Sequence, residues 1–327
     1  MSSLSIPPER GQQVLADLAA RFDRISVPFK TVNSTPIEAA IFVPKSLTSV
    51  TETQKLPVLV HFHGGGLLMG GNPEPFFLPD WVRDLAYTTP ALFISPAYRL
   101  IPESRAVDAL DDVGDFWTWL HAHLPATISA HWPHLTADLG HIAAVGESAG
   151  GYLAMQSALL FSRTAKLRAA IAQYPGLYPD LTGFADRPKT ADPKFDALVA
   201  EYVKNTAPGA IRVSSPWPEK VELFGAVMSN GLLAQVYGED KEGRLTLGYA
   251  LARAEEVPPP VWVIQGDDDH LVSKAWTDEV VERIRKEKPR ATIKYTVQPG
   301  DHGFDGLSRL DDDWVKEGVD FVKGYWL

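Results

Sequence analysis

Short, uniformly apolar runs alternate with amphipathic stretches along most of this 327-residue chain, and this alternation is the strongest constraint on its fold. Apolar runs without polar alternation are typical of strands that are buried on both faces. Strands of this kind, separated by helices, favour a parallel sheet that is covered by helices on both sides. The sequence therefore predicts an α/β protein with a mostly parallel sheet of about eight strands, the first two forming an antiparallel meander.

The predicted strands are apolar runs bounded by turn residues: Val27–Val32, Ile37–Val43, Pro57–Phe62, Ala91–Ser95, Ile142–Val145, Arg168–Gln173, Val261–Gln265 and Thr292–Val297. The predicted helices carry apolar residues at helical spacing: Gln12–Phe22, Glu103–His121, Ala149–Phe161, Ala275–Glu287 and Asp313–Lys323.

The long stretch between Gln173 and Val261 breaks this rhythm, because ordinary connections span only a few residues. It contains three further helical patterns: Phe195–Val203, Val221–Val236 and Leu245–Ala254. We interpret it as a helical cap or lid, with a long crossover decoration as the alternative. The two interpretations differ in whether its apolar face covers a pocket.

Composition excludes several classes of function. The 31 basic and 41 acidic residues give a formal net charge of −10, which argues against a nucleic-acid partner. With no cysteine, the chain has no disulfide, no thiolate metal ligand and no cysteine nucleophile. The first residues lack the basic and apolar regions of a signal peptide, and no apolar run approaches the length of a membrane span. We therefore expect a cytoplasmic protein with no membrane partner.

A serine flanked by glycines lies between a predicted strand and a predicted helix. Gly146–Gly150 reads G-E-S-A-G and matches the pattern G-x-S-x-G. In a sharp strand–turn–helix, glycines allow close backbone approach, and the strained turn lifts the serine hydroxyl to the helix N-terminus. Ser148 is therefore the candidate nucleophile. The alternative is an ordinary glycine-rich turn.

Three consecutive glycines follow another strand, in the run His63–Gly66. Backbone N–H groups of Gly65 and Gly66, together with that of Ala149, could hold the oxygen of a tetrahedral intermediate. We interpret His63 as an anchor of this loop rather than as a general base. His61 and His63 as a metal-binding pair is the alternative, but no third ligand is evident.

An acidic run follows the strand Val261–Gln265. A serine nucleophile needs a histidine base, and that base needs a carboxylate to orient it. Asp267, Asp268 and Asp269 all qualify by position. A solvated acidic loop or a cation site is the alternative, because clustered carboxylates repel one another.

The order of residues along the chain limits which histidine can be the base. In chains with the G-x-S-x-G pattern the serine comes first, the acid second and the histidine last. Only His270 and His302 remain. His270 adjoins the aspartates directly, which is a poor position from which to face both an acid and Ser148. His302 lies in a loop with Gly300 and Gly303, so it is the candidate base.

All four of these loops follow the carboxyl ends of predicted strands. The carboxyl ends of parallel strands share one edge of the sheet, which is where open α/β sheets bind ligands. We therefore expect the candidate nucleophile, acid, base and oxyanion-binding loop to lie together.

Taken together, HGGG at His63–Gly66, GESAG at Gly146–Gly150 and HGF at His302–Phe304 resemble the hormone-sensitive-lipase branch of the α/β-hydrolases. Tyr98–Glu103 (YRLIPE) also resembles a segment of that branch. The resemblance runs from about Leu56 to the end of the chain, except for the insertion. It implies the α/β-hydrolase fold with a helical cap.

The resemblance also implies which aspartate acts. The family pattern G-x-x-D-x-[LV] matches Gly266, Asp269 and Leu271, so the implied triad is Ser148, Asp269 and His302. The resemblance also implies residues that support the glycine loop and the turn around Ser148. They are His63, Gly64, Gly146, Glu147 and Gly150. The family more often has aspartate where this chain has Glu147.

The resemblance divides the chain into an N-terminal cap segment (1–26), a hydrolase core (27–174 and 258–327) and a helical cap insertion (175–257). The implied activity is hydrolysis of a carboxylic ester through an acyl-enzyme, with no cofactor and no metal. The mostly apolar insertion favours an uncharged, apolar ester of small to medium size. The expected partners are the small-molecule ester and, at most, a second copy of the chain. Phe76, Phe77 and Trp81 are candidates for the substrate pocket, with a core position as the alternative.

Two other functions remain open from the sequence. The same triad can serve acyl transfer, lactone hydrolysis, or a lyase or cyclase step on a natural product. A ligand-binding receptor on a hydrolase scaffold is the other alternative, which the retention of Ser148, Asp269 and His302 disfavours.

Overall fold

The computed structural model describes residues 9–49, 51–177 and 192–327. Strands within these ranges form a single sheet. The strands are β1 (Phe22–Val32), β2 (Thr35–Pro44), β3 (Gln54–Phe62), β4 (Leu92–Pro96), β5 (Leu135–Glu147), β6 (Ala169–Gln173), β7 (Val261–Gly266) and β8 (Ile293–Gln298).

The sheet has eight strands in the order β1-β2-β4-β3-β5-β6-β7-β8. The pairs β1–β2 and β2–β4 are antiparallel, and the remaining neighbours run parallel. This confirms the predicted mostly parallel sheet and the opening antiparallel meander. The carboxyl ends of β3, β5, β7 and β8 therefore point toward one edge.

Helices cover both faces of the sheet. They are α1 (Arg10–Arg21), α2 (Lys45–Thr48), α3 (Asp80–Thr88), α4 (Ala106–His131), α5 (Ala149–Ala158), α6 (Ser162–Ala165), α7 (Pro193–Asn205), α8 (Val221–Ser229), α9 (Leu233–Tyr237), α10 (Leu247–Arg253), α11 (Lys274–Glu287) and α12 (Asp313–Trp326). Among the helices of the described residues, none combines the length and the apolar character that crossing a bilayer requires.

Two apolar clusters form the core, one on each face. The first contains buried side chains of α4, α5 and α11, together with those of the insertion helices. The second contains buried side chains of α1, α3 and α12. Alternate residues of the central strands feed each cluster, as expected for strands covered on both sides.

The helices α7 to α10 lie between β6 and β7, within the predicted insertion. The sequence predicts one helix over Val221–Val236, and the structure corrects this to the two helices α8 and α9. Gly231, between them, has a φ of +64°, which ends α8 because a right-handed helix cannot continue through that conformation. The predicted domain boundary between residues 26 and 27 falls inside β1.

Candidate active site

The nucleophile turn joins β5 to α5. Ser148 has φ +55° and ψ −117°, a conformation that non-glycine residues adopt rarely and that marks strained functional turns. The turn packs tightly on the end of β3, since a Cβ added to Gly150 would lie 1.9 Å from the carbonyl oxygen of Phe62. Glycine is therefore required there by space. Ser148 is half-buried at the helix N-terminus, where its hydroxyl can meet a ligand.

The glycine loop follows β3 directly. Gly65 and Gly66 have φ of +99° and +67°, a region open to glycine at little cost. The carbonyl of Gly65 accepts the N–H groups of Leu68 and Met69, at 3.0 and 3.1 Å. The loop is therefore a folded turn with a defined backbone orientation.

His63 is hydrogen-bonded within this loop and packs against Tyr98. Its Nδ1 donates to the carbonyl of Gly64 at 2.8 Å, and its ring stacks on Tyr98 at 4.3 Å. The Tyr98 hydroxyl donates to the carbonyl of His63 at 2.8 Å. Burial lowers the pKa of His63 to about 3, so its ring is neutral and serves as a fixed packing and hydrogen-bonding element.

Glu147 connects the glycine loop to the nucleophile turn. Its Oε1 accepts the backbone N–H of Gly64 at 2.7 Å, and its Oε2 accepts Nε2 of His61 at 2.8 Å. The side chains of Glu147 and His61 are both buried. His61 therefore binds a carboxylate and His63 a carbonyl, which is not the arrangement that a shared metal would require.

Asp269 and His302 are hydrogen-bonded across the ends of β7 and β8. The Nδ1 of His302 donates to Oδ2 of Asp269 at 2.8 Å. The other oxygen of Asp269 accepts the backbone N–H groups of Leu271 and Val272, at 2.8 and 2.7 Å. With its Nδ1 proton bound, His302 presents Nε2 as a proton acceptor.

The competing acidic and basic side chains lie elsewhere. Asp267 and Asp268 are exposed, and so is His270, whose nearest carboxylates are those of Asp268 and Asp301. Asp269 has a fully buried side chain. Burial and the bond to His302 therefore single out one of the three aspartates.

The carboxyl end of β6 contacts both Ser148 and His302. The carbonyl of Gln173 accepts the backbone N–H of Ser148 at 2.9 Å. The next residue, Tyr174, meets the ring of His302 edge-on, with centroids 4.6 Å apart. Ser148 and His302 are thus held by adjacent residues of the same chain segment.

A small cavity of about 30 Å³ adjoins Ser148. Most of its lining is apolar and comes from the insertion, the loop after β7, the glycine loop and α5. The lining residues are Gly66, Leu67, Ser148, Ala149, Tyr152, Gly176, Phe224, Met228, Leu233, Tyr237, Leu271 and Val272. Phe224 lies against the glycine loop, since a Cβ added to Gly66 would be 2.7 Å from its Cε2.

The aromatic residues predicted for the pocket do not line this cavity. Trp81 is fully buried in the cluster on the face of α1, α3 and α12, where it packs against Trp262 at 5.6 Å. Phe76 stacks on Trp217 at 4.5 Å, and Phe77 meets the same indole edge-on. These contacts give no support to a place for the three side chains in the lining of this cavity. Trp81 belongs to the α3 stripe that packs on the sheet.

Sequence reasoning missed three residues of the site: Tyr174, Phe224 and Asp305. Asp305, shortly after His302, is fully buried and accepts the hydroxyl of Tyr174 at 2.8 Å. Phe224 has a helical apolar spacing that indicates only a buried face. An acid three residues past the candidate base was the single available signal for Asp305.

Comparison with known proteins finds a matching family model and similar curated proteins. A family model described as the alpha/beta hydrolase fold matches residues 59–305. The chain is 30% identical over 317 residues to a probable carboxylesterase, M8, of a Phoma species, covering 94% of this chain and 97% of that protein. It is 33% identical over 192 residues to the probable carboxylesterase clz11 of Cochliobolus lunatus, covering 56% of this chain and 86% of that protein.

Solved structures share the fold at low identity. A fungal esterase of Rhizomucor miehei superposes with a TM-score of 0.61 at 18% identity, covering 100% of this chain and 92% of that chain. A hyperthermophilic esterase from Pyrobaculum calidifontis gives a TM-score of 0.58 at 21% identity, covering 97% of this chain and 91% of that chain.

Proposed function

The chain belongs to the alpha/beta hydrolase fold family, and we propose that it is a carboxylic ester hydrolase that acts through an acyl-enzyme on Ser148. Family membership bears out the resemblance in its sequence motifs. The observation that carries the proposal is the 2.8 Å bond between Nδ1 of His302 and the buried carboxylate of Asp269. That bond leaves the opposite ring nitrogen as a base beside the segment that holds Ser148.

In the proposed reaction, Nε2 of His302 takes the proton of the Ser148 hydroxyl as its oxygen attacks the ester carbonyl. The imidazolium that forms is stabilised by Asp269 and then protonates the leaving alcohol. An acyl-enzyme results, which water deprotonated by His302 hydrolyses to the free acid. No cofactor and no metal takes part in these steps.

The negative oxygen of the tetrahedral intermediate is proposed to bind to backbone N–H groups of Gly65, Gly66 and Ala149. Two features support this role: the positive φ of both glycines and the position of Ala149 in the first turn of α5. Helix N-terminal N–H groups have no intrahelical partner and attract negative charge. Donors of this kind contribute on the order of 10²- to 10³-fold in rate.

The cavity at Ser148 is proposed to hold the acyl group. Its apolar lining favours an uncharged substrate, and the ring of Phe224 against Gly66 favours a short acyl chain. Phe224 and Met228, on α8, close it from the side of the insertion. We propose accordingly that residues 175–257 act as a cap on the core, with residues 1–26 as the N-terminal cap segment.

The test is hydrolysis of p-nitrophenyl esters of increasing acyl length by the wild type and by Ser148→Ala. The proposal predicts turnover of acetyl esters and a fall in kcat of about 10³-fold or more in the variant, with its circular dichroism unchanged. A fully active Ser148→Ala enzyme would refute it. Adding an alcohol acceptor separates hydrolysis from acyl transfer, since hydrolysis gives free acid and transfer gives a new ester.

A further inference from the structure

A second carboxylate, Asp305, lies behind the proposed active site and takes no part in the steps above. Its side chain is fully buried. It accepts hydrogen bonds from Nε1 of Trp81 at 3.0 Å, from Nε2 of Gln173 at 2.6 Å and from the hydroxyl of Tyr174 at 2.8 Å. All three donors are neutral, so hydrogen bonds rather than a cation hold this group in the interior.

A buried acid in such surroundings is costly to the fold. Burial raises the pKa of Asp305 above its ordinary value, against the opposing effect of its three hydrogen-bond donors. Burying an ionisable group without a counter-charge costs free energy that hydrogen bonds recover only in part. Acids in this kind of environment are found preferentially at functional sites. The position of Asp305 therefore calls for a role beyond packing.

Two of its donors contact the residues that are proposed to react. The backbone carbonyl of Gln173 accepts the N–H of Ser148 at 2.9 Å, while its side chain reaches Asp305. The ring of Tyr174 meets that of His302 at 4.6 Å, while its hydroxyl reaches the same carboxylate. Asp305 thus binds both neighbours of the proposed nucleophile and base.

The other end of this network is also fixed. Asp305 lies in a 3₁₀ turn, Phe304–Leu307, that directly follows the loop of His302. The carbonyl of Gly306 in this turn accepts a guanidinium N–H of the buried Arg10 at 2.7 Å. The turn that directly follows the loop of His302 is therefore anchored through both Asp305 and Gly306.

We propose that Asp305 is a positioning residue that holds Gln173 and Tyr174, and through them Ser148 and His302, in the geometry for proton transfer. The inference rests on the proposed function.

Other groups face His302 and must stay constant in a test. Asp269 binds its Nδ1, and the carboxylate of Asp301 accepts its backbone N–H at 2.7 Å. The ring of Tyr174 covers one side, and burial raises the pKa of that hydroxyl far above the working range. Glu147 adds a further negative charge near Tyr174.

The test compares Asp305→Asn with the wild type by two assays across pH. One is the rate at which a p-nitrophenyl phosphonate labels Ser148, and the other is kcat and KM for p-nitrophenyl acetate. We expect kcat to fall about tenfold or more with KM within about twofold. We also expect the acid limb of both pH profiles to move to lower pH by about half a unit or more, because a negative charge has been removed.

Two further variants distinguish a positioning role of Asp305 from a role in stability alone. Tyr174→Phe keeps the ring against His302 but removes the bond to Asp305, so it should show the same changes in smaller size. The matched control is Asp112→Asn, on α4, which removes an equally buried carboxylate that binds Arg99 and Lys30 instead. It should lose stability while keeping the acid limb and KM.

The outcomes decide the proposal in each case. Folded Asp305→Asn with the wild-type rate and acid limb would overturn it. If that variant does not fold, a Tyr174→Phe enzyme with wild-type profiles would overturn it equally. A wild type that the phosphonate does not label would refute the proposed function and this inference with it, whereas a labelled wild type with unchanged variants would refute the inference alone.

Discussion

The carboxylate of Glu147 accepts the backbone N–H of Gly64 at 2.7 Å, so the residue before the proposed nucleophile is hydrogen-bonded to the first glycine of the glycine loop. Glu147 is the last residue of β5, and Gly64 lies in the loop that follows β3, the adjacent parallel strand. The other oxygen of Glu147 binds His61 on β3. The nucleophile and the proposed oxyanion donors are therefore held to one another by a single buried side chain.

Removing the hydrogen bonds of Glu147 should impair catalysis more than substrate binding. Glu147→Ala leaves the N–H of Gly64 and Nε2 of His61 without their acceptor, which should cost about 1–3 kcal/mol for each buried donor. Glu147→Gln keeps one acceptor oxygen and should lose less. We expect kcat to fall in the order wild type, Gln, Ala, with KM nearly constant. Steady-state kinetics together with thermal melts test this, and equal kcat in all three would contradict it.

The ring of Phe224 should set the acyl length. Phe224→Ala opens the cavity at Ser148 toward α8, so longer chains gain room. We expect the ratio of kcat/KM for hexanoate to that for acetate to rise by about tenfold or more, the scale at which pockets discriminate methylenes. Phe195→Ala, on α7 and outside the cavity lining, is the control and should leave the ratio unchanged. The same ratio in both variants would contradict the assignment.

A buried ion pair should hold the insertion to the core. Lys220, at the start of α8, binds Glu103 at 2.8 Å, and both side chains are nearly buried. The Tyr202 hydroxyl donates to the same carboxylate at 2.7 Å. Glu103→Gln leaves a buried ammonium without its partner, so we expect a loss of about 3–5 kcal/mol.

A double-mutant cycle tests this attachment. Glu103→Gln combined with Lys220→Met should be less destabilised than the sum of the single variants, as measured by denaturant unfolding. Glu317→Gln, which breaks an exposed pair with Lys294, is the control and should leave stability unchanged. Strict additivity would argue against a coupled pair.

Glu74 should make stability depend on pH. Burial raises its pKa to about 7, even though the backbone N–H groups of Phe76 and Trp217 donate to it. Because the folded-state pKa lies above the unfolded one, its contribution to stability is complete below about pH 4.5 and is lost as pH rises through about 7.

Glu74→Gln mimics the protonated form and removes this dependence. We expect the free energy of unfolding of the variant, relative to that of the wild type, to rise by up to about 3 kcal/mol from pH 5 to pH 8. Denaturant unfolding of both proteins at the two pH values measures the difference. A constant difference would show that Glu74 does not titrate in this range.

The loops at the strand ends could be predicted because each joins a special residue pattern to an apolar run. Asp305 could not, since one acid in a loop reads as a solvated side chain until burial is known. The contact of Phe224 with Gly66 joins residues far apart in the chain and depends on how α8 docks. The position of Trp81 after the glycine loop is compatible with a pocket or a core position, and its place in the apolar stripe of α3 directs it into the core.

The most direct test of the central claim is identification of the residue that a serine-reactive phosphonate modifies. Intact-protein mass spectrometry and peptide mapping should find a single adduct on Ser148, formed in proportion to the loss of p-nitrophenyl acetate turnover. His302→Asn should slow labelling by about 10²-fold or more, since the general base is gone. An adduct on another residue, or wild-type labelling of the His302 variant, would contradict the account.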